Sequence, residues 1–177
     1  MIKKVLFLIF MTFLITGCSV KYDEAPVVEN KIPEFIFQDA SMVHYDDNKV
    51  AMEVEAEKLE KYRNSAESYG KGVKFISYDD EGSLDTEGKC DYIFTNTDSD
   101  IYELYENIQI KNVPENMDIS AEALKYNGKT EQLISTKGDS VKIKKDNTVV
   151  KGTGFSASGV SRTYSFSGNV IGSIETE

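Results

Sequence analysis

Apolar and polar side chains alternate along most of this chain, most clearly from Val113 to Ile174. Val141 and Ile143 fall on one side of an extended backbone and Lys142 and Lys144 on the other. Successive strand side chains point to opposite faces, so such segments bury one face and wet the other. Tyr164, Phe166 and Val170 repeat the pattern after a polar approach. Asn127-Gly128 predicts a hairpin with a type I′ turn, because both residues tolerate positive φ. Further turns are expected at Asp46–Asn48, Tyr69–Gly72, Asp79–Gly82, Asn96–Asp100 and Asn112–Asn116.

Between those turns lie Val73–Tyr78, Gly88–Thr95 and Tyr102–Lys111, where Tyr102, Leu104, Ile108 and Ile110 share a face interrupted by Glu106. The pattern begins at Phe35, with Phe37 on the same face. Ala51–Arg63 admits two readings. Met52, Ala56, Leu59 and Tyr62 approach helical spacing, whereas Val50, Met52, Val54 and Ala56 alternate strictly with Glu53, Glu55 and Glu57. The alternation favours a strand. About a dozen tandem strands without a convincing capped helix predict an all-β, antiparallel sandwich, jelly roll or barrel. No domain boundary is visible after Pro33.

Met1–Gly17 stands apart from this pattern. Lys3 and Lys4 precede an apolar run, Val5–Ile15, that is short for a membrane-spanning helix and reads as a signal peptide. The sequence Ile15-Thr16-Gly17-Cys18 resembles the lipobox of bacterial lipoproteins, in which the cysteine thiol becomes a diacylglyceryl thioether and the new N-terminus. An ordinary signal peptide with a chance cysteine, or an uncleaved anchor, is the competing reading. Residues 18–33, with two prolines and little periodicity, read as a tether, leaving 34–177 as the folded domain. With Cys18 alkylated, Cys90 has no intramolecular partner and is expected to be a buried small apolar residue.

Charge and composition exclude several classes of function. A net charge of −10 without a basic stripe argues against a nucleic-acid partner. His44 is the only histidine, and no Gly-x-Ser-x-Gly accompanies it, so it is expected as a strand surface residue. Asp79-Asp80-Glu81-Gly82 and Thr97-Asp98-Ser99-Asp100 lack the spacing of a calcium loop and read as acidic turns. Gly152-Thr153-Gly154 has no following helix with which to cradle a phosphate. The sequence therefore points to a protein that is not an enzyme, with no cofactor and no metal.

A family resemblance rests on the order of these segments. Leu124-Lys125-Tyr126-Asn127 is followed by Gln132–Thr136, Val141-Lys142-Ile143, Gly152-Thr153-Gly154-Phe155 and a last strand through Phe166, Gly168 and Val170. The set resembles the C-terminal half of LptC-type proteins, the periplasmic bitopic component of the lipopolysaccharide export bridge, and the related OstA/LptA-type repeat. It extends back through Tyr78–Gly82 to about Ala40. The resemblance implies a V-shaped β-jelly roll, open along one side, whose inner face holds acyl chains. It also implies an inner-membrane ABC transporter as donor and an LptA-like periplasmic protein as acceptor. The family's usual anchor is an uncleaved transmembrane helix, from which the lipobox here departs. The anchor would therefore be lipid, in the inner or the outer membrane.

Candidate lining residues for lipopolysaccharide or another glycolipid are Leu84, Tyr92, Phe94, Leu104, Ile108, Ile110, Leu124, Val141, Ile143, Phe155 and Phe166. The same pattern serves an ordinary core, and both readings stay open. Tyr164, Phe166, Val170 and Ile174 mark a last strand without charge or proline, either a docking edge or a strand covered on both sides. The alternative function is a surface or periplasmic β-sandwich lipoprotein that serves as a protein-binding scaffold.

Overall fold

In this computed structural model, residues 32–174 are described, apart from Asn64, Lys137 and Arg162. They form twelve strands and no helix. The strands are β1 (Pro33–Asp46), β2 (Lys49–Tyr62), β3 (Glu67–Tyr78), β4 (Leu84–Asn96), β5 (Ile101–Asn112) and β6 (Met117–Asn127), followed by β7 (Gln132–Ile134), β8 (Ser140–Lys145), β9 (Thr148–Thr153), β10 (Phe155–Ser158), β11 (Thr163–Phe166) and β12 (Val170–Ile174). All pair antiparallel in one sheet, and β1 to β6 form a simple meander. Ala51–Arg63 falls almost wholly within β2, so alternation prevailed over helix propensity there.

At β6 the ladder divides. Met117–Ser120 pair with β8, and Lys125–Asn127 pair with β7. One branch continues as β7–β10–β11 and the other as β8–β9–β12. The expected last strand, Tyr164–Ile174, is thus two strands, because Ser167–Asn169 leaves the ladder to cross between branches.

That break belongs to a line of irregularities across the whole sheet. Pairing skips Asp39 and Glu57 between β1 and β2, Gly72 in β3, Cys90-Asp91 in β4, Glu106-Asn107 in β5 and Glu122 in β6. Asp39, Gly72, Glu106, Asn107 and Gly154 along this line have positive φ. Along this line the register shifts only on either side of β5, where Glu106-Asn107 brings the extra residue of a bulge, and such a bulge bends a strand and sharpens its twist. Gly72 is needed here twice over. Its φ is 61°, and an added Cβ would collide with the Glu57 side chain. Tyr69–Gly72 is therefore not the turn its sequence suggests, but part of β3, with Gly72 an unpaired left-handed residue inside the strand.

The crease folds the sheet over its own inner face. Val141, Ile108 and Phe155 are 0%, 1% and 1% exposed. A single flat layer would leave that face wet, so the opposite half covers it. The resulting core runs through Ala56, Val73, Cys90, Leu104, Ile108, Ile119, Ala121, Leu124, Val141, Ile143 and Phe155. Burying each large aliphatic or aromatic side chain among them contributes about 1.5–3 kcal/mol. The chain is an open antiparallel sandwich of the jelly-roll type.

The hairpins share a device. Asn96, Asn112 and Asn127 each end a strand, and their Oδ1 atoms accept the backbone N–H three residues on, from Ser99 (3.0 Å), Glu115 (2.8 Å) and Thr130 (3.2 Å). The residue that closes each loop, Asp100, Asn116 or Glu131, has φ of 57°, 46° or 50°. Asn127-Gly128 is accordingly not a two-residue type I′ turn, because Asn127 pairs with Gln132 across four loop residues. Gly128 serves close approach instead, since a Cβ there would meet the Asp100 carboxylate. A two-residue turn does occur at Asp47-Asn48, with φ of 44° and 65°.

Candidate functional site

Cross-strand register defines the inner face on both sides of the crease. In the half where the chain enters at Pro33, Leu59, Gly70, Ile93, Leu104 and Leu124 lie in one row from β2 to β6. In the far half, Val54, Phe75, Gly88, Ile110, Ile119, Ile143 and Val150 form the matching row from β2 to β9. The middle of this face is sealed and its two sides are open. On the β1–β2 side, Phe37 is 48% and Met42 is 42% exposed, and Phe35 stacks beside Phe37 at 6.0 Å. On the β12 side, Val170 and Ile174 are exposed.

The candidate lining residues divide accordingly. Leu104, Ile108, Leu124, Val141, Ile143 and Phe155 are buried together at the crease. Ile110 and Phe166 are half-buried against them. Leu84 sits at the hairpin end of β4, 37% exposed. Tyr92 and Phe94 do not belong to the set, for a physical reason. Pairing is interrupted at Cys90-Asp91, and the alternation resets there, so Cys90 and Ile93 point inward while Tyr92 and Phe94 point outward. Residues of the open side, Phe35, Phe37, Met42 and Met52, escaped the candidate set. The alternation carried that signal, since Phe35 and Phe37 were legible as one face.

The outward aromatics form their own cluster, with Tyr69 centred 5.4 Å from Tyr62 and 5.1 Å from Phe94. Beside them Glu103 accepts hydrogen bonds from Lys125 Nζ (2.8 Å) and the Tyr105 hydroxyl (2.6 Å). Lys125 first and Tyr105 second hold the Glu103 carboxyl below its usual range. The same carboxylate, with desolvation behind it, pushes the Tyr105 phenol up to about 12. The lowered acid supports the fold above the ordinary carboxylate range and loses that support in acid. The raised phenol supports it below pH 10 and loses it toward pH 12. Neutral pH keeps both.

Titratable groups elsewhere take structural places. Burial first and Asp91 second push the Cys90 thiol up to about 11, so at neutral pH it is an uncharged core residue. His44 is exposed on β1. Asp79 Oδ1 accepts the N–H groups of Glu81 (2.9 Å) and Ser83 (2.8 Å), closing the β3–β4 turn. Among the described residues, no three His, Cys, Asp or Glu side chains are placed to hold a metal. Cys18 and the tether up to residue 31 lie outside the described residues.

The C-terminal edge follows from two hydrogen bonds. Thr153 N–H donates to Asn169 O at 3.1 Å, which makes Gly152 and Val170 a non-hydrogen-bonded pair. The Val170 N–H therefore points away from β9, and by alternation so do those of Gly172 and Ile174. Ser167 N–H donates to Gly154 O at 3.0 Å, which places Phe155 and Phe166 in the same kind of pair and turns the N–H groups of Phe166 and Tyr164 outward. No described strand pairs with that side of β11 or β12.

Comparison with known proteins adds what this geometry lacks. The family model described as "Lipopolysaccharide-assembly, LptC-related" matches residues 4–175, nearly the whole chain. The chain belongs to that family. Membership in the LptC-related family makes this a lipopolysaccharide-transport component. Among solved structures, it is similar to LptH of Pseudomonas aeruginosa, the LptA-homologous periplasmic component of the lipopolysaccharide transport device. The match has 9% identity and a TM-score of 0.34, and covers 80% of this chain and 94% of that one. No curated protein matches the chain.

Proposed function

We propose that this protein is a lipid-anchored periplasmic member of the glycolipid export bridge, taking acyl chains from an inner-membrane ABC transporter and passing them to an LptA-like partner. The observation that carries this is the inner face, apolar from β2 to β9 and open to solvent at β1–β2 and at β12. Acyl chains need a dry apolar slot and no catalytic group. The fully packed centre directs them to the open sides. A photo-crosslinking side chain at Phe37 or Met42 is expected to capture glycolipid in cells, whereas one at outward-facing Glu55 is not. No adduct at either inner position, in folded protein, would sink the cargo assignment.

The anchor in this reading is Cys18, carrying diacylglycerol next to a tether long enough to free the sheet from the membrane. Two or more acyl chains hold a protein on a bilayer stably, at about 0.8 kcal/mol per buried methylene. Cys18→Ser is expected to abolish metabolic labelling with an alkyne fatty acid and to leave the longer precursor uncleaved. Persistent labelling of that variant would remove Cys18 as the acceptor.

A further inference from the structure

The far half of the sheet carries an unusual outer face. Register aligns one outward side chain from each of six strands: Lys74, Lys89, Gln109, Ser120, Lys142 and Lys151. With strands about 4.8 Å apart, the row spans roughly 24 Å. Lys74 lies directly opposite Lys89 on one side and Glu55 on the other, and Lys142 lies directly opposite Lys151. Like charges paired in this way destabilise a sheet. Among the described residues, none of these four lysines makes an ion pair. The next row behaves in the ordinary way. There Glu87 and Lys111 form an ion pair at 3.5 Å, and Asp118 stands between Lys111 and Lys144.

This concentration of positive charge sits on a protein of net charge −10 and borders an open depression of about 600 Å³. Its walls hold five lysines, Lys74, Lys89, Lys111, Lys142 and Lys144, against two carboxylates, Glu87 and Asp118, with Gln109 and Ser120 between. We propose that the depression binds the anionic, phosphate- or carboxylate-bearing saccharide of the glycolipid cargo. This deepens the transport reading above and rests on it for the source of the sugar. Ammonium groups at both ends of the row suit separated point charges. Between them, the Gln109 carboxamide and the Ser120 hydroxyl supply donors and acceptors that suit sugar hydroxyls. A flat bilayer would touch the lysines but not enter the recess. Charge, polarity and concavity therefore favour a saccharide over a membrane surface.

The test is calorimetric titration of the protein with three probes. These are a deacylated, phosphorylated oligosaccharide from bacterial lipopolysaccharide, the same oligosaccharide after phosphatase treatment, and phosphatidylglycerol vesicles. The phosphorylated sugar is expected to bind the wild type and to bind Lys74→Gln/Lys142→Gln about tenfold or more weakly, the loss expected when charge-assisted contacts disappear. Removing phosphate should weaken binding similarly, and raising salt should weaken it further. Lys74→Gln removes a repulsion from Lys89 and an attraction to Glu55, and Lys142→Gln removes a repulsion from Lys151, so the thermal midpoint of the variant should hold, which separates lost binding from lost folding. Equal binding by wild type and variant, or stronger binding to vesicles than to the sugar, would overturn the proposal. Displacement of a fluorescent acyl probe from the inner face is read in parallel. Failure of that probe with sugar binding intact would overturn the transport reading and leave this site standing.

Discussion

Replacing Phe155 by alanine is expected to lower the stability of this protein by about 3–5 kcal/mol, the usual cost of emptying a filled aromatic site. Such a loss is large against a total of about 5–15 kcal/mol for a domain. Phe155 is 1% exposed and stands where the sheet divides, directly after Gly154 on the crease. Its backbone ties β10 to the chain just after β7, because its N–H donates to Ser135 Oγ (3.0 Å) and its carbonyl accepts from Ser135 N–H (3.0 Å). Its ring lies 5.5 Å from Phe166, which in turn covers Gly152 so closely that a Cβ would collide with it. Truncation therefore leaves a cavity bordered by backbone that cannot collapse. Urea denaturation should show a lower midpoint at unchanged slope. Tyr164→Ala, at a 43% exposed position of β11, should cost under about 1 kcal/mol. A Phe155→Ala loss that small would mean that the inner face is already wet at the crease.

Much of this arrangement was legible in the chain, and the parts that were not share a cause. Alternation at Val141–Lys144 placed both faces of β8 correctly, and the same reading held for Tyr102, Leu104, Ile108 and Ile110 despite Glu106. That reading passed through the crease without recognising it. A break in pairing is set by the strand across it, which local spacing does not contain. At Cys90-Asp91 this moved Tyr92 and Phe94 to the wrong face, and at Gly72 it made an unpaired left-handed residue look like a turn. The turn chemistry was partly available. Asn96, Asn112 and Asn127 each precede a left-handed residue four places on, but Asn-Gly at 127–128 drew attention to the commoner two-residue hairpin. The lysine row was out of reach for the same reason as the crease. Lys74, Lys89, Lys142 and Lys151 are scattered in sequence and meet only through register.

Replacing Val170 by proline is expected to reduce capture of an LptA-like partner about tenfold or more, with little change in thermal midpoint, if a bridge protein adds a strand to the C-terminal edge. The expectation follows from the direction of the Val170 N–H, which faces away from β9. Proline removes that donor and fixes φ near −65°, changes an edge strand tolerates on its free side. Ile171→Pro is the contrast. Ile171 is hydrogen-bonded to Lys151 in the alternation, so its loss should lower stability outright. Undiminished capture by folded Val170→Pro would move docking away from β12. The sheet has a second edge, β1, and composition distinguishes the two. β1 carries Pro33, Glu34, Asp39 and Asp46, the charges and proline that natural edges use against unwanted pairing. Thr163–Phe166 and Val170–Ile174 carry neither charge nor proline. An edge left so uniformly able to pair, in a family of transport components that must meet one another, is the one on which a neighbouring strand is expected to form.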